Sequence, residues 1–193
     1  MKVTFAFLFA SLLTAAPPGA LPPGAADLHI LTSLAFEKNL GQFDRRVEFV
    51  FRAADYSAFF LNDCVAIAFA GKDGNVSTMS MRLCGRGPQA RIEGLDSVAV
   101  KTSYFHGKDA SKWVRDVPHY PKLRYRGVYP GVDLVFRWDA GGVLEYDWMV
   151  APGADASVIR IRFDREVSVA PKPNGDITAA KDGFVWRHRK PTA

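Results

Sequence analysis

Two carboxylates set two residues apart are the nearest thing to catalytic chemistry in this sequence. Glu145 and Asp147, in Leu144-Glu145-Tyr146-Asp147-Trp148, share one face of a strand, with Asp133 on the preceding strand. Paired carboxylates hydrolyse glycosides when held about 5 Å apart for a covalent intermediate, or ~6.5 to 9.5 Å apart for inversion. Alternating carboxylates are also the ordinary way to keep an outer strand face solvated or salt-bridged, and that reading is preferred. Asp133, Asp139, Glu145 and Asp147 offer hard oxygen ligands to calcium, but they lack the spacing of a calcium loop.

Other reactive groups narrow the chemistry further. None of His29, His106, His119 and His188 stands at zinc-ligand spacing from Cys64 or Cys84. Ser57, Ser77, Ser80, Ser97, Ser103 and Ser111 lie in no Gly-x-Ser-x-Gly turn. Gly85-Arg86-Gly87-Pro88 lacks the Lys-Ser/Thr of a phosphate loop and no helix follows it. No catalytic, cofactor or metal residue is therefore assigned, and the chain is expected not to be an enzyme.

The two cysteines are expected to pair. Asp63 to Ala70 and Val76 to Cys84 flank Lys72-Asp73-Gly74-Asn75, a turn sequence tolerant of positive φ. A hairpin centred on Gly74 sets Val65 against Leu83, Ile67 against Met81 and Phe69 against Met79. The same register sets Cys64 directly opposite Cys84, within disulfide reach. An exported protein would meet the oxidising conditions that a Cys64–Cys84 bridge needs.

Export is read from residues 1–16, where Lys2 precedes an uncharged apolar run of signal-peptide length. The Pro-rich stretch that follows offers cleavage after Ala16, Ala20 or Ala26, and Pro17 disfavours the first. The expected division is a leader over 1–26, a linker over 27–35 and a single domain over 36–193. No later run approaches the ~20 apolar residues of a membrane-spanning helix. The formal charge is +5, with Lys108, Lys112, Arg115, Lys122, Arg124 and Arg126 the densest basic stretch. Outside the cell a nucleic-acid partner is not expected, and Lys122, Arg124 and Arg126 read as the wet face of a strand whose other face carries Leu123 and Tyr125. Attraction to an acidic polysaccharide is the intermediate reading of the charge; a carbohydrate-binding module is the alternative function, with Tyr104, Phe105, Trp113, Tyr120, Tyr129 and Trp138 as stacking platforms, although most of these rings are expected in the core.

The elements that must position these groups are short strands. Val132, Leu134, Phe136 and Trp138 line one face of a strand, and Leu144, Tyr146, Trp148 and Val150 line one face of the next. These faces coincide only if the connecting loop has an odd length, which pairs Trp138 with Leu144 and sets Arg137 opposite Glu145. Asp109 and Asp155 can each cap a single helical turn, while Pro118 and Pro121 restrict their segment to a sheet edge or to a start at Lys122. Ten or so short strands with hairpin spacing and no long amphipathic helix mean an all-β fold. An antiparallel β-sandwich or two packed curved sheets are expected, with a closed barrel as the alternative.

Several motifs also carry a resemblance. Phe36-Glu37-Lys38-Asn39-Leu40-Gly41-Gln42, Tyr104 to Asp109 with Trp113, Tyr125 to Leu134, Leu144 to Asp147 and Ala151 to Asp155 occur in this order. From about Phe36 to Pro191 the chain resembles the N-terminal domain of secreted bacterial proteins carrying SBBP (β-propeller) repeats. The resemblance implies an uncharacterised extracellular or cell-surface module that usually precedes propeller or immunoglobulin-like repeats. It implies no activity, and as partners its own downstream repeats or another surface protein. Cys64 and Cys84 depart from the pattern, standing where apolar residues are expected.

Overall fold

A computed structural model describes residues 2–8, 35–53, 55–138 and 144–190, the first of these segments as backbone alone. It is an all-β structure of two eight-stranded antiparallel sheets packed face to face, with no closed barrel. The strands run β1 (Lys2–Leu8), β2 (Phe36–Lys38), β3 (Val47–Arg52), β4 (Tyr56–Leu61), β5 (Cys64–Ala70), β6 (Val76–Leu83), β7 (Arg91–Leu95) and β8 (Lys101–Tyr104). They continue as β9 (Val114–Tyr120), β10 (Lys122–Tyr129), β11 (Val132–Trp138), β12 (Leu144–Val150), β13 (Ile161–Phe163), β14 (Ser168–Pro171), β15 (Ile177–Lys181) and β16 (Phe184–His188). One sheet has the order β14-β15-β16-β1-β12-β11-β10-β7, and the other β13-β6-β5-β4-β3-β2-β9-β8.

Alternation decides which face each strand buries. Leu123 and Tyr125 of β10, Leu134 and Phe136 of β11, and Tyr146 and Trp148 of β12 are all buried. Opposite them lie Phe36, Phe49, Phe60, Val65, Ile67, Met79 and Met81. Phe60 meets Phe136 edge-on at 5.2 Å, and Trp138 stacks on Phe36 at 5.6 Å, so rings from both sheets interlock. Buried phenols tie the layers as well. Tyr125 donates to Leu61 O, while Tyr129 donates to the Cys84 and Arg160 carbonyls and accepts from Arg160 N. At one end the sheets approach so closely that a Cβ on Gly94 would lie 2.3 Å from the Tyr120 ring.

The β11–β12 register is the expected one, with Trp138 opposite Leu144, Phe136 opposite Tyr146 and Arg137 opposite Glu145. Their connection, with Asp139, lies outside the described residues. Asp109 and Asp155 cap one-turn 3₁₀ helices over Ala110–Lys112 and Ala156–Val158, each accepting from the amide two residues on.

Three expectations are corrected. The β5–β6 hairpin pairs Val65 with Met81, Ile67 with Met79 and Cys64 with Arg82, a slip of two residues. Its turn is five residues long, closed by Gly71 N donating to Asn75 O, with Gly74 at φ 78°. Cys84 therefore falls beyond the end of β6, and Cys64 and Cys84 are both free thiols in place of the expected disulfide. Pro118 sits inside β9, between β8 and β2, and not at a sheet edge, although the strand after Pro121 does start at Lys122.

Candidate functional site

The carboxylates come first, since they have the residue types for catalysis. Glu145 and Asp147 do share the outer face of β12, and one guanidinium holds both. Arg137 Nη1 lies 2.6 Å from Glu145 Oε2, and its Nε 2.9 Å from Asp147 Oδ2. The two carboxylates are nearly out of solvent, with side-chain exposures of 12% and 3%. Arg137 is held further in its charged form by both anions, against the burial that opposes it. Asp133 takes no part in this clasp; its Oδ1 accepts from Gly127 N at the bulge in β10. Among the described residues no group of three or more His, Cys, Asp and Glu is placed to hold a metal ion.

Part of the basic stretch is neutralised locally. Lys122 pairs with Asp96 at 2.9 Å, and Arg124 pairs with Glu93, both across to β7 and its end. As expected, these side chains stand on the face opposite buried Leu123 and Tyr125.

Of the six aromatic platforms, Tyr129 is buried and Trp138 packs on Phe36 and Phe51, so neither can stack on a ligand. Tyr120 packs on Phe49 and over Gly94. Tyr104, Phe105 and Trp113 gather at the β8 edge, where Arg115 lies 5.1 Å from the Phe105 and Trp113 ring centres. These two rings meet at 85°, so they present no common plane. Behind them, Tyr104 donates to Glu37 and accepts from Arg52, closing a small polar network. Burial chiefly, and the bond to Glu37, push the Tyr104 phenol up to about 12. His119 Nε2 sits 2.7 Å from Thr102 Oγ1, and burial lowers its pKa.

The open site lies on the other face of β12. A cavity of about 690 Å³ is walled by Tyr146 and Trp148 of β12, Ile159, Ile161 and Phe163 in and before β13, Val167, and His188 of β16. Val169 and Ile177, which also line it, are 49% and 40% exposed, so its rim is apolar and open to water. Arg162 and Asp164 are its charged wall residues; Asp164 Oδ2 accepts from Ser80 N at 2.8 Å and anchors that wall to β6. At the floor, Tyr146 Oη and His188 Nδ1 are 3.0 Å apart. His188 also stacks on Trp186 at 5.1 Å and meets Phe163 edge-on at 5.3 Å. Burial pushes His188 down to about 4 and the Tyr146 phenol well up, so the floor is uncharged near neutral pH. A volume of this size, apolar with one polar pair at its floor, has the character of a binding pocket.

Sequence reading missed this site, because its walls come from segments far apart in the chain. The apolar residues from Ile159 to Ile177 were visible as strand faces, and nothing in their spacing marks a gap between them.

No curated protein and no solved structure matches the chain. One family model matches residues 36–193, a span that takes in both the polar edge and the apolar cavity. The chain accordingly belongs to the family described as Domain of unknown function (DUF7948).

Proposed function

We propose that this chain is a non-catalytic interaction module of an exported protein, extracellular or at the cell surface, that receives an apolar part of a partner in the β12–β16 cavity. The observation that carries this reading is the cavity itself, with Trp148, Ile161, Phe163 and Val167 inside and half-exposed Val169 and Ile177 at its rim. Apolar surface left open in this way marks binding. The partner is another surface protein or a downstream module of the same protein. Glu145 and Asp147 support no hydrolytic role in this reading, because Arg137 occupies both.

Polysaccharide binding at the β8 edge is the second reading, favoured by the position of Arg115 over Phe105 and Trp113. It ranks lower because the two rings are perpendicular.

The test is titration of the cooperatively folded protein with 1-anilinonaphthalene-8-sulfonate, followed by energy transfer from tryptophan. Saturable binding is expected, with Trp148 the donor at the cavity wall, and loss of that binding in Ile177→Glu. Failure to saturate, or binding indifferent to Ile177→Glu, would remove the proposal.

A further inference from the structure

Seven residues in this chain have two incompatible employments. Lys2–Leu8 lie in the stretch read as an export leader, and the same residues form β1, the strand that joins the two parts of the first sheet. On one side β1 pairs with β12, from Lys2 opposite Met149 to Ala6 opposite Glu145. On the other it pairs with β16, Phe7 opposite His188 and Leu8 opposite Arg187. Without β1, the sheet divides into β12-β11-β10-β7 and β14-β15-β16, with a slot one strand wide between them. Both readings of the segment follow from the same composition, since an uncharged apolar run suits a leader and also a strand at the centre of a sheet.

The slot borders the cavity. Tyr146 and Trp148, the β12 positions paired with Phe5 and Val3, and His188, paired with Phe7, all line the cavity. We infer that in the exported, leaderless protein this slot is a strand-acceptor site, filled by an extended segment of another polypeptide running antiparallel to β12. The segment carries large apolar residues at three alternate positions, the pattern of Val3, Phe5 and Phe7 in the strand now seated there. Main-chain bonds to the bared edges of β12 and β16 hold such a strand, and the cavity receives its alternate side chains, the two components of β-augmentation. The described strands from β2 to β16 already have their places in the two sheets. The donor is assigned to a second protein, and closure of the slot by residues 27–34 of this chain is the outcome that the exchange measurement below would reveal. This inference names the partner chemistry of the cavity proposed above and rests on that reading and on removal of the leader.

The experiment uses the protein as it is exported. Intact mass first locates its N-terminus, and a synthetic peptide of residues 2–8, with added C-terminal lysines for solubility, is then titrated against it. A mass that excludes Lys2–Leu8 is expected, together with saturable peptide binding and slowed amide exchange over 144–150 and 184–188. A peptide carrying Phe5→Asp should bind at least about tenfold more weakly, since a charge would enter an apolar site. Retention of Lys2–Leu8 in the exported protein would overturn the inference. So would exchange already slow at 144–150 without peptide, which would mean that the chain closes its own slot, or equal binding of the two peptides. Dye binding that persists where the peptide fails would overturn the strand slot alone; absence of both would overturn the cavity reading with it.

Discussion

The two faces of β12 differ in a way that reverses what their residue types imply. The outer face carries Glu145 and Asp147, the polar groups, and both carboxylates are almost out of solvent under the Arg137 guanidinium. The inner face carries Tyr146 and Trp148, the groups of a packed core, and opens on a cavity with a half-exposed apolar rim. Chemical type is therefore a poor guide to access in this sheet. Charges brought together on a strand attract a counter-charge that seals them, whereas on the inner face Tyr146 and Trp148 are themselves buried and the opening lies at the rim, where Val169 and Ile177 are half exposed.

The strongest way to break the contrast is to unseal the outer face. Arg137→Met leaves two buried carboxylates on one face without their shared cation, and the expected loss is about 3–5 kcal/mol of folding stability in urea denaturation. A loss under about 1 kcal/mol would show the clasp to be as weak as an ordinary surface pair.

Acid sharpens the other face. His188 is pushed down to about 4 by burial, below the ordinary histidine value that it regains on unfolding. The unfolded chain thus takes up the proton first as the pH falls. The contribution is complete above about pH 6.5 and is lost on the way down to about pH 4, costing roughly 2–3 kcal/mol in all. Denaturation midpoints measured between pH 7 and pH 4.5 should show this decline, and His188→Gln should flatten it.

The smallest effect is expected from filling the open face. Val167→Leu adds one methylene at the cavity wall, so its stability should change by less than about 1 kcal/mol, in either direction. At the closed end, where a Cβ on Gly94 would strike the Tyr120 ring, Gly94→Ala should cost about 1–3 kcal/mol in the same assay. Similar losses at the two ends would mean that the cavity is not free space.

What the sequence could reveal follows the same physics. The β11–β12 register was legible because a slip of one residue would have sent Trp138 or Trp148 to water. The β5–β6 register was not, because a slip of two keeps Val65, Ile67, Met79 and Met81 on the same face. The five-residue turn closed by Gly71 and Asn75 decided between the two registers, and with it the fate of the expected Cys64–Cys84 bridge. Of the aromatics proposed for stacking, Tyr129 and Trp138 went to the interior and Phe105 to the surface, although all are equally apolar by type. The cavity escaped detection because a void is a relation among Trp148, Phe163, Val169 and Ile177, and no one segment contains it.

Leu8 lies beside Arg187 in the sheet, so strands from opposite ends of the chain meet in its middle. Contacts between residues this far apart in sequence form slowly, because a long loop must close before they are rewarded. A chain that emerges from its N-terminus has made β12 long before β16 exists. β1 is made before either and can seat on β12 while it remains in the chain; where it has been removed, the β12 edge has one neighbour, β11, and is exposed to any strand that passes. Union of the two flanks therefore waits on β16 in either case, and a chain that has lost Lys2–Leu8 leaves the place between them to whichever strand arrives.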